Sequence, residues 1–177
     1  VVRALSSKWM GLTRGDIIHL AGLTNGGGLT KILEELDYSG FITKYQPFGR
    51  VKRETLFRLT DEYSLFYLRF IETLRKEGAG IWQSFQQTPT YRTWSGYAFE
   101  SICLKHLPQI KKALGIAGVF STASSFYHKG AEGMEGCQID LLIDRDDRVI
   151  NLCEIKWATA EFILTKSYTA ELRRKMT

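Results

Sequence analysis

The sequence of 177 residues is long enough for one large domain or two small ones. It is 44% hydrophobic and 24% charged, as in globular proteins. No apolar run approaches the roughly 20 residues that cross a bilayer, so we expect no membrane partner. The net charge of +5 is concentrated in residues 1–60, which hold nine Lys and Arg against five Asp and Glu. Such a basic excess is typical of a segment that contacts a polyanion.

The first third of the chain predicts two helices followed by a hairpin. Thr13 is a good N-cap for a short helix that Gly22 ends, and apolar residues recur at helical spacing over 29–36. Two strand-like stretches, 41–46 and 54–59, follow and are joined by a basic turn. Two helices with a glycine-bearing turn between them and a basic hairpin after them are the layout of a winged helix-turn-helix.

A winged helix of this kind would place the start of its second helix in the major groove of DNA and its wing on the phosphates. Glu34, Glu35 and Asp37 would face phosphates at close range, which favours a shallow dock led by the wing. A protein-interaction module is the alternative. The residues predicted to bind nucleic acid are Thr24, Asn25, Thr30, Lys31, Arg50, Lys52 and Arg53.

The middle of the chain connects two domains in this interpretation. Residues 61–77 are rich in aromatic and aliphatic side chains and predict a long connecting helix that is apolar on more than one side. Residues 81–93 are polar, contain Pro89 and are interpreted as a linker. The predicted divisions are a winged helix-turn-helix over 1–61, a connecting helix and linker over 62–92, and a second domain over 93–177.

The second domain alternates helices and strands. A helix over 95–107 is predicted to end or kink at Pro108, and a short strand is predicted near 119–121. Two clear strands, 137–143 and 149–157, are joined by a short charged loop, and a final helix covers 165–175. The whole chain is therefore predicted to be a mixed α/β protein, α+β overall.

Asp140, Glu154 and Lys156 form the strongest chemical constellation. Side chains alternate faces along a strand, so Glu154 and Lys156 share a face, and a hairpin would place Asp140 opposite Glu154 or offset by a position or two. Two carboxylates at that range raise the pKa of one of them or need a cation between them, and Mg²⁺ or Mn²⁺ would take their oxygens. Lys156 would then orient or deprotonate the attacking water, or stabilise charge on a phosphate.

Glu100 is the third predicted acid. It falls inside the apolar arc of its helix, where a carboxylate needs a partner, and the metal patch on the sheet is the natural candidate. The predicted metal ligands are thus Asp140, Glu154 and Glu100, and the predicted catalytic residues are these three with Lys156. The alternative is a solvated ion pair between Glu154 and Lys156 on an exposed face.

Glu100 on a helix, Gln138-Ile139-Asp140-Leu141-Leu142-Ile143 on one strand and Cys153-Glu154-Ile155-Lys156 on the next resemble the PD-(D/E)XK nuclease superfamily. The resemblance implies a restriction-endonuclease-like mixed sheet flanked by helices. It also implies that Asp140 and Glu154 bind the metal, that Lys156 lies beside the attacking water and that Glu100 assists the metal. Ile139 stands where the family usually has proline.

The chain is also similar to the C-terminal half of archaeal-type ATPases of archaea and bacteria, through residues 29–36, 39–42 and 63–71. This similarity implies a P-loop ATPase domain upstream in a longer chain, and a nuclease-like domain that continues past the final helix. The motif G-x-x-x-x-G-K-[ST] does not occur in the sequence, so these residues form no P-loop.

The function expected from both resemblances is that of an ATPase C-terminal region that binds DNA and carries a Mg²⁺-dependent deoxyribonuclease site. The alternative is a non-catalytic DNA- or protein-docking module that regulates the ATPase. The cysteines, Cys103, Cys137 and Cys153, are odd in number and form no CxxC pair, which indicates a reducing, cytoplasmic environment.

Overall fold

The computed structural model describes residues 1–51, 54–72, 74, 80–130 and 135–176. The chain divides into two compact units, Val1–Thr93 and Trp94–Thr177. Helices with two three-stranded antiparallel sheets make it α+β, which confirms the predicted fold class. The elements are α1 (Val2–Ser6), β1 (Leu12–Thr13), α2 (Arg14–Ala21), α3 (Gly27–Tyr38), β2 (Ile42–Tyr45), β3 (Leu56–Leu59), α4 (Glu62–Phe66), a π-helical segment (Tyr67–Ile71), α5 (Ile81–Gln86), α6 (Pro89–Lys105), α7 (Leu107–Ala113), β4 (Ser121–His128), β5 (Cys137–Arg145), β6 (Ile150–Cys153) and α8 (Lys166–Arg174).

Thr13 and Asp16 define the start of α2, and Gly22 defines its end. The Thr13 hydroxyl accepts a hydrogen bond from the backbone N–H of Asp16 at 3.2 Å, and the Asp16 carboxylate accepts one from the N–H of Thr13 at 3.0 Å. This capping box satisfies two backbone donors that the first turn leaves without partners. Gly22 ends the helix at φ +61°, a left-handed conformation that glycine adopts without strain. The predicted helix bounds are confirmed.

The sheet of the first unit has the order β1-β3-β2, with β2 and β3 forming the predicted hairpin from Ile42↔Leu59 to Tyr45↔Leu56. Helix α3 turns Leu29 and Leu33 inward. The core of the first unit is completed by side chains from α1, β1, α2, both hairpin strands and α4: Leu5, Leu12, Ile17, Ile42, Leu59 and Leu65. The helices and the hairpin therefore occur where the sequence predicted them.

The predicted linker is wrong, since residues 81–93 form α5 and the start of α6. Their aromatic side chains pack on Phe70, which is 2% exposed. The ring centroids of Trp82, Phe85 and Tyr91 lie 6.0, 5.6 and 6.5 Å from that of Phe70. The contacts of these rings with the buried Phe70 outweigh the polar composition of the segment. Pro89 is the first residue of α6, a position where a helix does not need a backbone N–H.

The predicted connecting helix is shorter among the described residues than expected. Helix α4 gives way at Tyr67 to the π-helical segment, and residues 73 and 75–77 of the predicted helix lie outside the described residues. Leu65 belongs to the core of the first unit. This segment is therefore packed as part of that unit.

The sheet of the second unit has the order β4-β5-β6. Leu141 and Ile143 of the central strand pack with Ile116 and with Leu104 and Leu107. All pairings among the described strands are antiparallel, so the parallel pairing of a mixed sheet does not occur among them. Strand β4 begins at Ser121, where the short strand predicted near 119–121 was to end, and it continues to His128.

Two boundaries of the second unit differ from prediction. Helix α6 ends at Lys105, and Pro108 lies in the first turn of a new helix, α7, where its missing N–H costs nothing. Strand β6 ends at Cys153, so Glu154 and Lys156 follow the strand instead of lying within it. Among the helices of the described residues, none combines the length and apolar character needed to span a membrane.

Candidate functional site

The hairpin of β5 and β6 brings Asp140 and Glu154 together. Leu141 pairs with Cys153 and Leu142 with Leu152, and Asp140 and Glu154 are the next residues beyond this end of the ladder. Each of the two side chains is 11% exposed. Two carboxylates thus lie side by side with little access to water.

Two lysines neutralise this acidic pair. The Nζ of Lys156 lies 3.3 Å from Oε2 of Glu154 and 3.9 Å from Oδ2 of Asp140. The Nζ of Lys175 lies 2.8 Å from Oε1 of Glu154 and 3.6 Å from Oε1 of Glu171. Each carboxylate oxygen of Glu154 therefore forms an ion pair with a different lysine.

Asp140 also organises the chain beyond the end of β6. Its Oδ2 accepts a hydrogen bond from the backbone N–H of Ile155 at 2.9 Å. This bond continues the connection between the two segments after their backbone ladder has ended. It explains why Glu154 and Lys156 still lie beside Asp140 although they follow the strand.

The charges of the cluster stabilise both ammonium groups. Partial burial lowers the pKa of Lys156, but the charges of Asp140 and Glu154 outweigh it and raise the pKa above its ordinary value. Burial likewise lowers the pKa of Lys175, and its hydrogen bond and charge interaction with Glu154 produce a net rise. At neutral pH both side chains are cations that can stabilise negative charge.

The cluster borders a cleft of about 550 Å³. Glu154, Lys156 and Lys175 line it together with apolar and aromatic side chains that include Phe162 and Tyr168. The Nζ of Lys156 lies 5.9 Å from the centroid of the Tyr168 ring, at the outer limit of a cation–π contact. The cleft therefore offers both charge and ring faces to a ligand.

Glu100 does not form a group of three acids with this pair. Within the described part of the chain, no three His, Cys, Asp or Glu side chains are close enough to hold a metal ion. Glu100 is half-buried on α6, and its charge adds to burial in raising the pKa of the Cys103 thiol. The structure thus brings together two of the three predicted metal ligands.

The remaining pair fits one kind of metal site. Mg²⁺ is commonly held by one or two carboxylates, with waters and substrate phosphates completing its six ligands. Asp140 and Glu154 can supply that carboxylate part. Against it, both oxygens of Glu154 already contact lysines. The donor set therefore fits a site that substrate completes, and not a closed cage of protein ligands.

The predicted DNA-contacting residues of the first unit lie on its surface. Thr24, Asn25, Thr30, Lys31 and Arg50 are exposed, whereas Lys52 and Arg53 lie outside the described residues. The two cations among these exposed residues, Lys31 and Arg50, each have an acidic neighbour. Nζ of Lys31 lies 3.8 Å from Oε1 of Glu35, and Nη1 of Arg50 lies 3.1 Å from Oε1 of Glu54.

Sequence reasoning did not identify Arg14 or Lys175. Arg14 donates to the side chain of Asn25 at 3.2 Å and to the carbonyl of Gly26 at 2.9 Å, so it fixes the turn before α3. Lys175 follows Tyr168 and Leu172 by seven and three residues, on the same face at helical spacing. A lysine in line with an apolar helix face is the sequence signal that could have identified Lys175.

Comparison with known families identifies the family to which the chain belongs. The model of the DUF234 family, described as archaea bacterial proteins of unknown function, matches residues 66–170, more than half of the sequence. The chain belongs to the DUF234 family. The region matched by the DUF234 model contains Asp140, Glu154 and Lys156 and ends before Lys175. Comparisons with curated proteins and with solved structures find no match.

Proposed function

We propose that this chain is the C-terminal region of an ATPase, that it binds DNA and that it hydrolyses DNA phosphodiester bonds with Mg²⁺ at Asp140, Glu154 and Lys156. The observation that carries the proposal is the carboxylate pair, shielded from water and bordered by Lys156. Acids so placed are costly unless cations offset them, and they are typical of functional sites.

The chain's own groups have distinct roles in this proposal. Asp140 and Glu154 hold the divalent ion, which when bound supplies an activated water and positive charge for the phosphate. Lys156, as an ammonium, stabilises the negative charge that builds on the phosphate in the transition state. Of the roles open to this lysine, charge stabilisation is the one its ion pairs with both acids support.

The DNA-binding part of the proposal is supported by charge and exposure. Residues 1–60 carry a net charge of +4, and the side chains of Thr30, Lys31 and Arg50 are accessible on the first unit. The order of α2, α3, β2 and β3, two helices followed by a hairpin, supports the proposed winged helix-turn-helix. Association of the DUF234 family with ATPase-like proteins supports the ATPase context, and three free cysteines support a cytoplasmic location.

Two observations favour a second function. Both oxygens of Glu154 contact lysines, and among the described residues no third His, Cys, Asp or Glu completes a metal site with Asp140 and Glu154. In that case the chain is a docking or regulatory module of the ATPase that keeps a nuclease-like site without turnover. It would bind DNA in a salt-dependent way or bind a protein, and cleave nothing.

Calorimetric titration of Mg²⁺ and Mn²⁺ tests the metal site, with and without a DNA duplex, because substrate phosphates complete such sites. Asp140→Asn is expected to weaken metal binding by roughly tenfold or more, since it removes a ligand charge. The control is Asp146→Asn, an exposed acid in the turn between β5 and β6. Equal metal affinity of the wild type and Asp140→Asn would overturn the proposed site.

A further inference from the structure

Lys175 is the most shielded cation of the site cluster. Its side chain is 12% exposed, against 42% for Lys156, and it contacts a Glu154 side chain that is itself 11% exposed. It follows the last residue of α8, whose first turn is capped by the Thr165 hydroxyl accepting from the N–H of Tyr168 at 3.2 Å. The side chain of Lys156 is therefore open to solvent, whereas that of Lys175 is enclosed beside Glu154.

The charges of the carboxylate pair are already offset without a metal. The carboxylates of Asp140 and Glu154 face the ammonium groups of Lys156 and Lys175, and Glu171 also contacts Lys175. A divalent ion needs the carboxylate oxygens that the ammoniums occupy, and it is repelled by each ammonium at short range. Lys175 and a metal ion therefore compete for Oε1 of Glu154.

We propose that Lys175 is a built-in counter-ion that occupies Glu154, and that a divalent metal binds fully only when Lys175 releases this carboxylate. The inference rests on the proposed function, since it concerns the same metal site. Lys175 lines the cleft beside Glu154. A substrate phosphate entering the cleft offers its ammonium a new partner, so metal and phosphate favour each other's binding.

The test is the dissociation constant of Mn²⁺, measured by electron paramagnetic resonance on the full chain. Lys175→Met removes the competing charge and is expected to bind Mn²⁺ roughly tenfold more tightly than the wild type, a change of about 1.4 kcal/mol. Lys175→Gln, which keeps a hydrogen-bond donor for Glu154, is expected to change affinity in the same direction. Two variants should match the wild type: Lys175→Arg, which keeps the charge, and Lys166→Met, which removes a charge at the far end of α8.

The outcomes separate this inference from the proposed function. If the wild type binds Mn²⁺, Asp140→Asn does not, and both neutral variants of Lys175 bind no more tightly than the wild type, the metal site stands and the role of Lys175 is overturned. If neither the wild type nor the neutral variants bind Mn²⁺, the metal site and the role of Lys175 both fall. Tighter binding by Lys166→Met as well would reduce the effect to net charge and also overturn the assignment.

Discussion

Asp140 combines two roles that a substitution must separate. Its carboxylate is a candidate metal ligand, and its Oδ2 accepts the backbone N–H of Ile155, which no strand pairing satisfies at that point. Removing the side chain therefore damages both the site and the path of the chain that carries Glu154 and Lys156. Asparagine keeps a side-chain oxygen for the N–H and removes the charge.

Asp140→Ala is expected to lower the free energy of unfolding by about 1–3 kcal/mol, because it leaves a half-buried N–H without its acceptor. Asp140→Asn is expected to lower it by clearly less. Urea denaturation followed by circular dichroism measures both. Equal destabilisation by the two variants would show that the hydrogen bond to Ile155 contributes little and that charge dominates.

Period-two alternation predicted that Asp140, Glu154 and Lys156 meet. They do, although Glu154 and Lys156 follow β6, because the hydrogen bond between Asp140 and Ile155 continues the connection past Cys153. The alternation was insufficient for Lys175, because that residue reaches Glu154 through the placement of α8, more than 20 positions along the chain. The position of Glu100 inside the apolar arc of its helix did not predict where Glu100 lies relative to the sheet. Helical periodicity predicts which side chains share a face, but not which element packs against that face.

Among the elements, α2 shows how local sequence determines a helix end. Hydrogen bonds from Thr13 hold the pKa of the Asp16 carboxyl below its ordinary value, because they stabilise its charged form. A carboxyl with a lowered folded pKa stabilises the fold above its unfolded pKa, near 4. That stabilisation is lost as pH falls through the folded pKa.

Asp16→Asn is therefore expected to cost about 0.3–1 kcal/mol near pH 6, as for charges at helix N-termini. The difference from the wild type should shrink as the pH falls below about 4. Urea denaturation across this pH range provides the measurement. Glu34→Gln, at an exposed carboxyl on α3, is the control and should show no such trend. A wild-type advantage that stays constant with pH would contradict the role of the capping box.

The segment interpreted as a linker shows where element prediction failed. Residues 81–93 mix polar side chains with Trp82, Phe85 and Tyr91, and the polar majority obscured a packing face. Those rings pack around Phe70 of the preceding segment. Contacts between residues more than ten positions apart therefore stabilise the helices of this segment, and local composition does not predict such contacts.

At the scale of the whole molecule, the order of predicted helices and strands predicted an α+β protein, and the structure confirms this fold class. The division of the described chain after Thr93 lies next to the predicted start of the second domain at residue 93. The sequence alone did not show that the described residues of α4, α5 and the start of α6 belong to the first unit, because their aromatic contacts are tertiary. DNA binding by the first unit and catalysis by the second stay predictions.

Cleavage of labelled linear, supercoiled and branched DNA with Mg²⁺ or Mn²⁺ tests the central claim most directly, using the wild type, Asp140→Asn and the Asp146→Asn control. We predict cleavage by the wild type and the control, none with EDTA, and a loss of at least about 100-fold in Asp140→Asn. If no DNA is cleaved while the wild type binds it in a salt-dependent way, the catalytic claim is contradicted, and the chain is a docking module with a nuclease-like site.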